Sequence, residues 1–348
     1  MIVDPVYCAS SFFEFRMIED TDHIFAPGVY PRRFEIPQNR TPVHNSKELE
    51  TALRKAVGDA LANGRCALML SSGIDSAILA KMMPEGSKAY TLRCCAPGAV
   101  DETLQAGKFA EACGLDHEII DITWDDYIEY TPALLRHMGQ PVHSIEPQIY
   151  KAALTARASG FDTLIFGETA DIIYGGHSIQ LCREFGLDEY IDYHNFIDPP
   201  SVLKEGVVIR DAYERHFDND RMDVYGFLND IHLRQSPNSY VNSCSLADIR
   251  FAAPYLTTEL AAPLDLDRIR SGDNKYLVRE LFHRLYPDMG QPKKLPMPRA
   301  LTQWMADYQG ATRPEFYEGA GRNMTPDQKW YIYVTEMFMN MVLGPACV

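Results

Sequence analysis

The run Leu68-Met69-Leu70-Ser71-Ser72-Gly73-Ile74-Asp75-Ser76-Ala77-Ile78-Leu79-Ala80 limits what this 348-residue chain can fold into more than any other stretch. Residues 66–70 are apolar and too few for a helix of their own, so they suit a strand buried on both faces. Ser71, Ser72 and Gly73 let the backbone turn tightly, and Asp75-Ser76 opens a helix whose first N–H groups have no internal partner. Those N–H groups, the positive end of the helix dipole and the hydroxyls of Ser71, Ser72 and Ser76 form a cradle for phosphate oxygens. A carboxylate inside such a cradle repels phosphate unless a divalent cation lies between them, so Asp75 predicts Mg²⁺. The turn is not a Walker A loop, because no Gly-Lys-Ser/Thr follows it.

Further strand signals fall at 89–95, 117–122 and 163–166, with helices over 46–61, 101–113 and 146–159, the last two stopped by Gly114 and Gly160. Alternation of this length predicts an α/β fold, a parallel twisted sheet with helices on both faces. Ligands of such sheets bind beyond the carboxyl ends of the strands, and Leu70 and Phe166 both mark such ends. Phe166 leads into Gly167-Glu168-Thr169-Ala170-Asp171, then Tyr174-Gly175-Gly176-His177. Those glycines allow close backbone approach to a nucleotide, and Asp171 is a second carboxylate for the metal of Asp75. From 178 onward the chain reads mainly as helices, clearest at 181–191, 224–233, 276–285 and 329–342, forming a layer over the strand ends that supplies a substrate pocket. Residues 1–45, rich in aromatics and proline, read as extended segments wrapped on the body. The organisation expected is therefore a 1–45 segment and one domain over 46–348, split into a nucleotide-binding core at 46–177 and a mainly helical portion at 178–348.

A net charge of −15 argues against a broad nucleic-acid surface and for anionic substrates held by a few placed cations and a metal. Eight cysteines, at 8, 66, 94, 95, 113, 182, 244 and 347, include no Cys-x-x-Cys pair. They suit a reduced, cytoplasmic protein in which Cys66, Cys94 and Cys113 are small core residues. No signal-like start and no apolar run of membrane-spanning length is present, so no membrane partner is expected.

The turn resembles the Ser-Gly-Gly-x-Asp-Ser signature of the PP-loop ATP pyrophosphatase superfamily, with Ser72 in place of the first glycine. Gly167-Glu168-x-x-Asp171 and Tyr174-Gly175-Gly176 narrow the resemblance to asparagine synthetase-type (class B) amide synthetases, whose segment reads Gly-Glu-Gly-x-Asp-Glu-x-x-x-Gly-Gly. Three more segments follow that family's order. They are Val100-Asp101-Glu102 to His117, Ala247-Asp248-Ile249-Arg250 to Pro254-Tyr255-Leu256, and Lys275-Tyr276-Leu277-Val278-Arg279 with Gln291-Pro292-Lys293-Lys294 through Pro298. The resemblance implies an adenine nucleotide alpha hydrolase-like fold and a carboxylate that attacks the α-phosphorus of ATP. The acyl-adenylate then passes to ammonia or an amine. It further implies Mg²⁺ on Asp75 and Asp171, pyrophosphate against Ser71, Ser72, Gly73 and Ser76, and adenosine against Met69, Leu92 and Gly167. By the same resemblance Lys293 neutralises charge growing on the α-phosphate and acyl oxygens, and Glu168 accepts a proton from the attacking nitrogen.

Several residues carry plainer readings. Lys294 competes with Lys293 for the cation's role, Arg250 suits a structural ion pair, and His117 and His177 suit the core or rim. Trp304 and Trp330-Tyr331-Ile332-Tyr333 suit helix packing. Two departures from the family stand out: Ser72 is not glycine, and Ile172 replaces the second acid of the Asp-Glu pair. The residue after Met1 is Ile2, so no glutaminase domain with a leading cysteine is expected, and nitrogen must come as free ammonia, from a separate glutaminase subunit, or as an amine. The carboxylate is a small-molecule or carrier-bound substrate. The rival readings are a PP-loop tRNA-modifying enzyme and a non-catalytic nucleotide-binding partner subunit.

Overall fold

A computed structural model describes residues 1–345 apart from 294 and 296. Its centre is a five-stranded parallel sheet built from β1 (Cys66–Met69), β2 (Lys88–Cys94), β3 (Asp116–Ile122), β4 (Thr163–Ile165) and β5 (Arg250–Ala252) in the order β5-β4-β1-β2-β3. The chain builds outward from β1 to β2 and β3, then returns to place β4 on its other flank. Strand order therefore reverses between β1 and β4, where an open α/β sheet forms its ligand crevice. The register pairs Leu68 with Ile165, so Ser71–Gly73 and Gly167–Asp171 leave the sheet side by side.

Successive residues of β1 point to opposite faces. Leu68 joins a core with Ala77, Ile78, Phe109 and Leu281, while Ala67 joins another with Tyr90, Ile122, Ile149 and Trp330. Helices thus cover both faces, as the alternating pattern predicts. Helix Ser46–Ala62 is capped by Asn45, which accepts from the N–H groups of Lys47 and Glu48 at 3.0 Å each. Helices Thr103–Ala112, Glu146–Ala158, Tyr276–Leu285 and Pro326–Leu343 stand where periodicity places them. Helix Trp124–Met138, capped by Thr123 and Asp126, is additional.

Three expectations are corrected. The 1–45 segment is not extended throughout, because Pro5–Phe15 is an α-helix capped by Asp4 with Phe12 and Phe13 fully buried. The helix expected over 181–191 is broken into Ser178–Leu181 and Leu187–His194, and the mainly helical portion beyond 178 also supplies β5, which completes the sheet beside β4. The helix expected over 224–233 becomes Val224–Phe227, a π-helical turn Leu228–His232 and a helix Leu233–Leu246. The π turn stands just before Pro237, whose missing N–H interrupts the α ladder. Cys66 and Cys94 are buried and Cys113 half-buried, all with free thiols, whereas Cys347 lies outside the described residues. Among the described residues no helix is long and apolar enough to cross a membrane.

Candidate active site at the ends of β1 and β4

The turn after β1 is held by its own serines. Ser76 Oγ accepts from the Ser71 N–H at 3.0 Å and lies 2.9 Å from Ser71 Oγ, while the Gly73 N–H donates to Ser71 Oγ at 3.2 Å. Helix Ile74–Ala80 follows with Gly73 at its N-cap and no side chain capping its first turn, so its leading N–H groups face the crevice. Ser72 does not join this cradle. It is 2 % exposed, and its N–H and hydroxyl both go to Glu102 Oε2 at 2.8 and 2.9 Å. Burial raises the Glu102 pKa, against the Ser72 donors, which pull it down.

Glycine is required after β4 because the two chain segments touch. A Cβ on Gly167 would stand 2.8 Å from Ser76 N and 3.0 Å from the Asp75 carbonyl carbon, both backbone atoms. Thr169, where the family pattern has glycine, adopts a left-handed φ of 71°. For a β-branched residue this strain costs on the order of 1–3 kcal/mol, and such strain gathers at functional turns.

Asp75 and Asp171, contributed by different strand ends, meet on a single cation. Lys275 Nζ lies 2.5 Å from Asp75 Oδ1 and 3.1 Å from Asp171 Oδ1. Lys275 is 7 % exposed and has a left-handed φ of 51°, at the start of helix Tyr276–Leu285. Burial alone would lower its pKa, but Asp171 and Asp75 outweigh that and the net shift is upward, so it stays charged. Gly176 closes the same corner, since a Cβ there would meet Asp171 Oδ1 at 2.0 Å and Lys275 Cδ at 2.7 Å. Sequence reasoning matched Lys275 to the family's Lys-x-x-x-Arg pattern but gave it no role.

Glu168 accepts a 2.5 Å hydrogen bond from Ser236 Oγ, and Tyr240 lies against the same carboxylate. Removal from bulk water raises its pKa above the ordinary carboxylate value, with Ser236 and Tyr240 opposing. A cavity of about 640 Å³ collects these groups. Met69, Leu92, Ile149 and Phe166 supply apolar wall, while Ser71, Gly73, Asp75, Ser76, Gly167, Glu168, Asp171, Lys275, Arg279 and Lys293 supply polar wall. The volume is ordinary for a small-ligand site. Every expected site residue except Ser72 lines it; Lys294 lies outside the described residues. Glu102, Lys275 and Arg279 line it without having been assigned a part in it from sequence.

Among the described residues no group of three or more His, Cys, Asp or Glu can hold a metal. Two carboxylates converging on one point charge nevertheless fit Mg²⁺, which takes one or two carboxylates and completes its shell with phosphate oxygens and water.

The plainer readings hold elsewhere. His117 Nε2 pairs with Thr91 Oγ1 at 2.7 Å. Arg250 is structural as expected, but among the described residues through hydrogen bonds and not an ion pair, donating to the Asn63 carbonyl at 2.6 Å and to Thr163 Oγ1 at 3.0 Å. Trp304 packs on Tyr127 and Trp124, and Trp330 donates to the Val142 carbonyl. A separate opening of about 690 Å³ runs past Glu19, Arg215, Asp230 and Arg234, whose charges are spent on one another.

A family model described as asparagine synthase matches residues 48–241. No curated protein matches the chain. Among solved structures, the chain is similar to the U34-tRNA thiolase NcsA from Methanococcus maripaludis with its 4Fe-4S cluster. The identity is 16%, covering 72% of this chain and 82% of that one, with a TM-score of 0.27. It is also similar to an NMN synthetase from Francisella tularensis, at 14% identity over 73% of this chain and 99% of that one, with a TM-score of 0.28.

Proposed function

The chain belongs to the asparagine synthase family of ATP-using synthetases, and on that footing we propose that it is a carbon–nitrogen ligase forming AMP and pyrophosphate. It adenylates a carboxylate and passes the acyl group to ammonia or an amine. The observation that carries this reading is the convergence of Asp75, Asp171 and Lys275 above the serine turn, with Glu168 and Lys293 in the same cavity.

In this reading the turn and the first N–H groups of helix Ile74–Ala80 receive the β- and γ-phosphates, with Ser71 and Ser76 as hydroxyl donors. Asp75 and Asp171 hold Mg²⁺, which supplies charge neutralisation to the phosphates when bound. Lys275, already fixed between those carboxylates, brings a second positive charge to the same oxygens. Met69 and Leu92 form the apolar face for the base.

The substrate carboxylate oxygen bonds to the α-phosphorus as the bond to pyrophosphate breaks. Lys293 is a mobile point charge suited to the charge that grows on the α-phosphate and acyl oxygens, the kind of contact worth several kcal/mol in the transition state. The nitrogen donor then attacks the acyl carbon and AMP leaves. Glu168 takes the proton, and its raised pKa makes it a stronger base than an exposed carboxylate.

The test is pyrophosphate release from ATP and Mg²⁺ across a panel of carboxylic acids, with and without ammonia, alongside Asp75→Ala. Release that depends on one class of acid and disappears in the variant supports the proposal. Nucleotide binding with no release under any acid overturns it.

A further inference from the structure

A second cavity, of about 280 Å³, adjoins the first and shares Tyr240 and Met297 in its wall. It is lined by Arg16, His143, Phe196, Arg299, Asp327 and Tyr331 among others. Arg16 comes from outside the family-matched segment, at the end of helix Pro5–Phe15, where it takes a left-handed φ of 58°. Its guanidinium carbon lies 4.7 Å from the centre of the Phe196 ring and 5.9 Å from that of Tyr331. Among the described residues no carboxylate pairs with it, and its Nε is buried with no hydrogen-bond partner. The other cation of the wall is satisfied, since Arg299 lies 3.0 Å from Asp327 Oδ1 and donates to Ser144 Oγ at 3.1 Å. The wall thus carries one positive charge in excess.

Arg16 is only half-buried, but its Nε is buried without a partner, and an anion seated on a guanidinium that lacks a counter-ion gains charge-assisted hydrogen bonds. His143 adds a donor. Its Nδ1 accepts from the Ile145 N–H at 3.2 Å, which leaves the proton of the neutral ring on Nε2. Asp327 is already engaged by Arg299, so an ammonium entering with the anion would find no carboxylate of its own. The shared wall residue Tyr240 lies against Glu168, beside the place where the acyl carbon must sit for nitrogen attack. The second cavity, across the shared Tyr240 and Met297, is the adjoining space for the far end of a short acid reacting there.

We propose that this cavity is a subsite for a second carboxylate of the acyl substrate, held by Arg16, so that the substrate class is a simple dicarboxylic acid without an amino group at the far carboxylate. The proposal rests on the adenylating reading above for the identity of the main cavity.

Glutarate, its monomethyl ester, butyrate and L-glutamate would be titrated calorimetrically into the full chain with Mg²⁺ and α,β-methylene-ATP, and pyrophosphate release from ATP would be measured with the same acids in the absence of any amine. Glutarate is expected to bind the native protein about tenfold or more tighter than the ester, butyrate or glutamate, the value of one charge-assisted pair. Arg16→Met should bring that preference to about twofold or less, and Arg16→Lys should keep part of it. Native protein that binds glutarate and butyrate within about twofold of each other overturns the proposal even if Arg16→Met does not fold. So does an undiminished preference in Arg16→Met. Release supported equally by mono- and dicarboxylates sinks the subsite and leaves the synthetase reading standing. Arg16-dependent glutarate binding with no release under any acid does the reverse.

Discussion

Ser72 spends both its N–H and its hydroxyl on one oxygen of Glu102, and so faces away from the cavity that its neighbours line. Ser72 has no left-handed φ, which is why serine stands where the family pattern has glycine without straining the turn. Glu102→Ala leaves the buried Ser72 N–H without an acceptor and is expected to cost about 1–3 kcal/mol. Ser72→Ala, which keeps the backbone bond, should cost about 0.5–1.5 kcal/mol. Urea unfolding of the two variants checks the order, and equal costs would show that the backbone bond does not hold the turn.

Lys275 acts on the two acidic side chains as a built-in counter-ion. Lys275→Met leaves Asp75 and Asp171 facing each other without the ammonium that lies between them. The variant should melt lower than the native protein in EDTA and regain much of the loss in millimolar Mg²⁺, because a divalent ion relieves the repulsion. Its acid-dependent pyrophosphate release should fall about 100-fold or more, in line with loss of a preorganised charge. Thermal melts with and without Mg²⁺ test the first part, and a Mg²⁺-insensitive melt would show that the carboxylates do not form a cation site.

The four strands β1 to β4 are legible in the sequence because each is a short apolar run bounded by turn residues, and their carboxyl ends bring Asp75 and Asp171 to one crevice. β5 is not, because Arg250-Phe251-Ala252 has no pattern of its own and becomes a strand only by pairing with β4. Helix Pro5–Phe15 was hidden for the opposite reason. Residues 8 to 15 are all buried, Ser10, Ser11 and Glu14 included, so the helix has no solvent face and its few polar residues sit among aromatics that read as extended chain. Missing that helix also hid Arg16. Lys275 was assigned no role because a lysine before a helix resembles a solvated charge, and only the fold seats it between two acids from other strands.

Glu168 should separate the two half-reactions. Glu168→Gln keeps a carbonyl oxygen for Ser236 but cannot take a proton. Acid-dependent exchange of pyrophosphate into ATP should stay within about threefold of native, while amide formation falls by about 10²-fold or more. In the native protein the amide-forming rate should rise with pH through the raised pKa of Glu168, since the base works only when ionised. Loss of both half-reactions together would place Glu168 in nucleotide binding instead.

The N-terminal helix gives the fold a pH dependence that lies outside the crevice. Glu14 is 2 % exposed, its carboxylate accepts from the Ile209 N–H at 3.1 Å, and burial pushes its pKa up to about 8 from 4.5. Glu146, 1 % exposed, is likewise pushed up to about 8. A carboxyl whose pKa is higher folded than unfolded stabilises the fold fully below 4.5, and that contribution is lost as pH rises to about 8. The melting temperature should therefore fall between these limits. Glu14→Gln, which still offers Ile209 an oxygen, should reduce the fall while leaving the low-pH melt close to native. Melting curves from pH 5 to 9 would test this, and a native protein whose stability climbs across that range would mean that Glu14 stays ionised in the core.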